Sequence, residues 1–259
     1  MNTYNFQFLG TCACDYSPKL KTEFKDCFNK DARRASSLLM NDHFLIDCGP
    51  HCIDAMRIAG VNMKNITDLF ITHLHSDHFN PQNIETIALS ADRKLNLWVS
   101  EDADLPEIKN INVVRMKKLE KYQVTEDLSI TGLYANHDPN TAPQHLLFER
   151  NEKKFLYATD GAWILNLTFE HIRKSHLALF IVDATCGNYE GDYRVAEHNS
   201  IPMIRLMMPS LRTAEIIDDN TVTYLTHIAP SLHKSHDETV EIVKNDGLHV
   251  AYDGLKFAL

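Results

Sequence analysis

His73-Leu74-His75-Ser76-Asp77-His78 sets three imidazoles and a carboxylate on six consecutive residues, directly after a short apolar run. Imidazole nitrogen and carboxylate oxygen are the donor types that hold zinc, manganese or iron. The spacing makes the groups converge on one small volume wherever the backbone turns. Crowded together without an ion, their lone pairs and charges would need other partners. One segment cannot close the coordination spheres of two metals, so further ligands must come from elsewhere. His137 (in Ala135-Asn136-His137-Asp138), Asp160 (in Tyr157-Ala158-Thr159-Asp160-Gly161) and His227 (in Leu225-Thr226-His227) each follow an apolar stretch and precede a turn. Singly, each reads as a hydrogen-bonded residue at a strand end. In order behind the first motif, they are far more specific.

The elements that must position these groups follow from periodicity and turn signals. The pattern predicts a strand at 4–9, a surface excursion at 15–34 and a hairpin of 37–40 with 44–47 around Asn41-Asp42. A helix at 52–59 ends at Gly60, a strand at 68–72 runs into His73, and Pro81 opens a helix to about Ser90. Strands are expected at 95–99, 111–116, 122–124 and 129–134, then a hairpin of 144–149 with 154–159. A helix at 163–173, a buried strand at 177–183, a helix at 200–208, a strand at 221–226 and a helix at 237–244 follow, with a closing pair of strands around Asp253-Gly254. Strands end on His or Asp at Thr72/His73, Tyr134/His137, Thr159/Asp160, Val182/Asp183 and Thr226/His227. Functional side chains gathered at strand ends are what a site on a rigid sheet rim looks like. Hairpins and βα units together indicate a mixed α/β fold with two sheets. Without repeats or linkers, residues 1–259 read as one domain.

The 259 residues carry 26 Lys+Arg against 35 Asp+Glu, a net charge of −9, and are 44% hydrophobic. That composition excludes global disorder and argues against a broad polyanion-binding surface. No apolar run is long enough to span a membrane, and the N-terminus lacks a secretory pattern, so a cytoplasmic location is expected. Six cysteines form no CxxC pair and are expected to be reduced thiols. Arg33, Arg34 and the lysines of 15–34 read as a solvated charged face rather than as phosphate contacts. Asp47 and Asp183 read equally as carboxylates orienting a ligand histidine or as strand-end turn residues. Trp163 and Tyr189 read as core or rim packing, and His145, His171, His176 and His249 as ordinary. No GxSxG motif is present.

The ordered ligands, with Phe8-Leu9-Gly10-Thr11 near the start and Tyr252-Asp253-Gly254 near the end, resemble the metallo-β-lactamase superfamily over nearly the whole chain. The resemblance implies an α/β, four-layer αβ/βα sandwich with a dinuclear site at one edge of its two sheets. His73, His75 and His137 would hold the first metal, Asp77, His78 and His227 the second, and Asp160 would bridge them. The ions would be zinc or manganese, with iron as an alternative. Ala158-Thr159-Asp160-Gly161, the Arg33-Arg34 and Ser36-Ser37-Leu38-Leu39 run, Glu197-His198 and Leu225-Thr226-His227-Ile228 are similar to the phosphodiesterase branch, nearest to the phosphoribosyl 1,2-cyclic phosphate phosphodiesterases that accompany carbon–phosphorus lyase. Those relatives carry a tight CxCxxC zinc cluster. Here Cys12, Cys14 and Cys27 depart from that spacing, and Pro230 stands where a further histidine ligand would be.

The implied chemistry is in-line attack on a small cyclic phosphate or phosphodiester by a hydroxide held between two metals. Asp77 would orient the nucleophile, and His198 would protonate the leaving oxygen. The alternatives are a tRNA 3′-end-type RNA endonuclease, disfavoured by the charge and by the absence of a long basic arm, and a lactone or ester hydrolase. A redox role is disfavoured because His75 stands where diiron members carry an acid. The expected partner is a small phosphorylated substrate, with neither a membrane nor a stable nucleic-acid complex. Analogy implies a homodimer.

Overall fold

A computed structural model describes residues 4–259. The chain forms two compact units, one taking in the described residues through Arg115 with Ala251–Leu259, the other Met116–Val250.

The first unit is built on β1 (Asn5–Gly10), β2 (Ser37–Met40), β3 (Phe44–Ile46), β4 (Asp68–Phe70), β5 (Leu95–Ser100) and β6 (Ile111–Met116), with β14 (Lys256–Ala258) from the end of the chain. Their order in the sheet is β14-β1-β2-β3-β4-β5-β6. Pairing is antiparallel from β14 to β3 and parallel across β3, β4 and β5. The parallel strands need crossovers, which α1 (Cys52–Ala59) and α2 (Pro81–Leu89) supply. Gly60 stops α1 at φ 72°, a left-handed cap. Pro81 opens α2, and the Asn80 side chain accepts from the Asn83 N–H at 3.0 Å. Phe8, Leu38, Leu45, Leu69 and Leu97 fill the core.

The second unit repeats the plan. It contains β7 (Lys121–Gln123), β8 (Ser129–Tyr134), β9 (Gln144–Arg150), β10 (Lys153–Ala158), β11 (Leu179–Asp183), β12 (Val222–Thr226) and β13 (Leu248–Val250) in the order β13-β12-β11-β10-β9-β8-β7. The meander β7–β10 is antiparallel and β10–β13 is parallel. Asn151 and Glu152 both adopt positive φ (48° and 67°), the backbone of a tight two-residue hairpin. The crossovers are α3 (Asn166–Ile172), α4 (Ile201–Thr213) and α5 (His236–Val243), the last opened by a Ser235/Glu238 capping box. Leu147, Leu156, Phe180, Leu225 and Leu211 belong to one buried cluster.

Several boundaries differ from the sequence expectation. Helix α3 begins at Asn166, not Trp163, because Trp163 sits at φ 59° and cannot be helical. Helix α4 runs on to Thr213 past Pro209, with Leu211 still facing the core. The expected closing pair does not form: β13 extends parallel to β12, whereas β14 pairs antiparallel with β1. No helix among the described residues is long and apolar enough to cross a membrane.

The larger correction concerns Arg33 and Arg34. The excursion is exposed at its lysines, but both arginines are buried. They converge on the buried Asp253 carboxylate. Thr11 Oγ1 donates to Asp253 Oδ1 at 2.8 Å, and the Arg34 N–H donates to Oδ2 at 2.7 Å. Arg33 Nη1 donates to Thr11 Oγ1 and to the Ala251 carbonyl, while Arg34 Nη1 lies 3.8 Å from Asp253. Burial pushes the Asp253 carboxyl up to about 6 even against the pull of the backbone N–H and both guanidiniums. Gly254, at φ 89°, follows because a Cβ there would strike the Phe28 ring.

Removing Asp253 strands two buried guanidinium groups. Asp253→Ala should lower stability by about 3–5 kcal/mol, read as a fall in the urea midpoint. Asp253→Asn, which keeps an acceptor, should cost less. A wild-type midpoint in the alanine variant would contradict this account.

Candidate metal centre

Parallel strands in α/β sheets deliver functional groups at their carboxyl ends. In the first unit, β3 leads to Asp47 and β4 leads to Thr72 and His73. Asp47 is buried at φ 60°, a strained conformation for a residue with a side chain. Its carboxylate accepts from the Thr72 N–H (2.8 Å), from Thr72 Oγ1 (2.9 Å) and from His78 Nδ1 (2.7 Å). Burial raises the Asp47 carboxyl, and these contacts oppose that rise. Because Nδ1–H of His78 points at Asp47, the lone pair is left on Nε2, which lies 3.4 Å from Asp77 Oδ2. His73 Nε2 and His75 Nδ1 are 3.0 Å apart. Two nitrogens bound at about 2.0–2.1 Å to one tetrahedral ion would be roughly 3.3 Å apart, so this pair fits a shared cation. Gly49 packs so closely on the Asp77 carbonyl that a Cβ would overlap it.

In the second unit, β8 leads to His137, β10 to Asp160, β11 to Asp183 and β12 to His227. Asp160 and His227 also adopt positive φ (50° and 56°). The two oxygens of Asp160 face different imidazoles: Oδ2 lies 3.0 Å from His227 Nε2, and Oδ1 lies 3.8 Å from His137 Nε2. A carboxylate displayed in that way fits a bridging role. Thr185 Oγ1 meets His227 Nδ1 at 2.7 Å, again leaving Nε2 toward the site.

The buried Asp183 accepts from the Asn199 N–H (2.9 Å), from Thr185 Oγ1 (2.9 Å) and from His198 Nδ1 (3.0 Å). Burial pushes its carboxyl up, but His198 and His227 outweigh burial and hold it well below the usual range. For His198, burial pulls the imidazole down, and Asp183 more than offsets this, so the proton is held more tightly than in free imidazole. The His198 ring stacks on His227 at 5.4 Å. Ligand-capable atoms of Asp160, Asp183, His198 and His227 all lie within 4.8 Å of one another.

Each unit therefore assembles its own share of the expected residues. His73, His75, Asp77 and His78 are on one loop of the first; His137, Asp160 and His227 follow strands of the second, and His198 lies just before α4. Asp47 and Asp183 are the orienting carboxylates rather than turn residues. Cys12 is buried and Cys14 and Cys27 are exposed. Trp163 and Tyr189 are exposed. Thr72, Thr185 and Asn199 were not singled out from sequence; the one readable signal was a threonine two residues after Asp183. His145 is far from ordinary. It is buried beneath Gly161, where a Cβ would lie 2.5 Å from His145 Nε2.

Residues 26–108 match the family model described as Anti-Pycsar protein Apyc1. A Ribonuclease Z from Mycolicibacterium gilvum (strain PYR-GCK) is 34% identical over 119 residues, 44% of this chain; the chain spans 39% of that relative's length. Among solved structures, a diphosphatase of the PhnP family aligns with a TM-score of 0.73 at 17% identity, covering 99% of this chain and 97% of the other. The metallo-beta-lactamase fold protein YhfI from Bacillus subtilis aligns with a TM-score of 0.74 at 12% identity, covering 100% of both. At such identities the likeness is one of architecture. The chain has the metallo-β-lactamase fold, as its motifs implied.

Burial drives the His145 imidazole down from 6.5 to about 4. Between those values the unfolded chain binds a proton that the folded chain refuses. The contribution of His145 is intact above pH 6.5 and is lost as pH falls through 4, about 3 kcal/mol in all. His145→Gln should flatten the loss of stability between pH 6.5 and 4 in urea titrations. Parallel pH profiles for the two proteins would refute this.

Proposed function

We propose that the two units work as one metal-dependent hydrolase domain that cleaves a small cyclic phosphate or phosphodiester. In this reading His73, His75 and His137 would hold one divalent cation, Asp77, His78 and His227 a second, and Asp160 would be shared between them. The observation that carries it is the display of Asp160, one oxygen toward His137 and the other toward His227. Two such cations supply Lewis acidity and a water activated near neutral pH.

The chain's own groups do the rest. Asp47 fixes the His78 ring, and Thr185 and Asp183 fix His227, so the donor atoms need no reorganisation. Asp77 orients the attacking water. His198, its Nδ1 engaged by Asp183, keeps Nε2–H for the leaving alkoxide. Likeness in fold to a PhnP-family diphosphatase supports a small phosphate ester. The partial identity with Ribonuclease Z supports a second reading, an RNA 3′-end endonuclease, against which the net charge of −9 weighs.

Metal analysis should find about two ions per chain, and protein loaded with Mn²⁺ or Zn²⁺ should hydrolyse bis(p-nitrophenyl) phosphate. His198→Ala should lower kcat by about 10²–10⁴ with metal content unchanged. Cleavage of pre-tRNA without turnover of the small diester would favour the nuclease. Two bound ions with no turnover of any diester would remove the phosphodiesterase reading.

A further inference from the structure

The 15–34 segment brings one side chain to the first unit's histidine loop that neither charge nor spacing marks. Tyr16 is fixed from both sides. Ahead of it, the Cys12 N–H donates to the Arg34 carbonyl at 2.8 Å. Behind it, Ser17 caps a single turn at Pro18–Lys21, its Oγ accepting from the Lys19 N–H at 3.3 Å. The Tyr16 ring meets the His51 imidazole edge-on, with centroids 4.5 Å apart. His51 is held in turn by the Ala35 N–H, which donates to its Nδ1 at 3.3 Å. Two residues before His51, Gly49 packs on the Asp77 carbonyl. The ring therefore lies against the same stretch of chain that supports the backbone of Asp77.

The Tyr16 hydroxyl is buried and makes no hydrogen bond, a cost that a suitable acceptor would relieve. Burial first, and then the Asp77 carboxylate, push the phenol above its ordinary value, so the oxygen keeps its proton and acts as a donor. Cys12, His78 and Cys14 also act on it. Thiol sulfur is a weak acceptor, and His78 turns Nε2 toward Asp77 Oδ2 at 3.4 Å. Asp77 is the strong acceptor among these groups. A carboxylate that binds a metal is normally hydrogen-bonded by a group behind it. Asp47 plays that orienting part for His78, and Thr185 for His227.

We propose that Tyr16 is a positioning residue of the metal centre, its hydroxyl donating to the Asp77 carboxylate when that carboxylate takes up a divalent cation. The inference rests on the reading of Asp77 as a ligand. The test is calorimetric titration of EDTA-treated wild type and Tyr16→Phe with Mn²⁺ alone, together with the Tm of each metal-free protein. Tyr16→Phe should weaken one of the two cation sites about tenfold or more and leave the other unchanged. Its metal-free Tm should be the same or higher, because the hydroxyl it removes has no partner before the ion binds. Two cations bound equally well by both proteins would overturn the inference and leave the dinuclear reading standing. A lower metal-free Tm with both affinities unchanged would also overturn it, since Tyr16 would then serve packing alone. An equal loss at both sites would do the same, as the sign of general damage to the fold. No cation bound by the wild type would remove the dinuclear reading and this inference with it.

Discussion

Two carboxylates that water does not reach, Asp47 and Asp183, set the conditions for the rest of the site. A charge in such a place is tolerated only when its lone pairs are fully engaged. The sequence meets that demand twice with the same parts: a carboxylate at the end of a parallel strand, backbone N–H donors, a threonine hydroxyl and an imidazole Nδ1. Thr72 and Thr185 are shared between carboxylate and histidine in both units. Orientation of the imidazole rings is therefore a by-product of satisfying buried charge. Any rotation of His78 would leave Asp47 short of a donor, and the penalty for that holds the ring in place.

Much of this was legible in the sequence because the chemistry sits at places where patterning is strongest. Helix α1 could be read to its last residue from Gly60, and the start of α2 from Pro81. The HxHxDH spacing marked the first cluster of candidate ligands, and apolar runs ending on His137, Asp160 and His227 marked the second. What could not be read was conformational. Positive φ at Asp47, Asp160 and His227 has no compositional signature, since these residue types occupy extended backbone elsewhere. Such outliers concentrate where side chains must be aimed off the end of a strand. His145 was unreadable for another reason: nothing local shows that a β9 side chain lies under Gly161.

The 15–34 segment shows where charge counting misleads. Its lysines are solvated, as composition suggests, yet the two arginines at its end are interior. The deciding partner, Asp253, lies 219 residues from Arg34 in sequence, beyond the reach of any local window. That contact fastens the last strand segment of the first unit to its first hairpin.

The order of strands has a consequence for colloidal behaviour. Three of the four outermost strands, β7, β13 and β14, are three residues long, and only β6 reaches six. A short rim gives an incoming chain too few exposed amides to template on, a device that natural sheets use against edge-to-edge aggregation. On β6, Arg115 is exposed beside Val113, and its charge guards the remaining border.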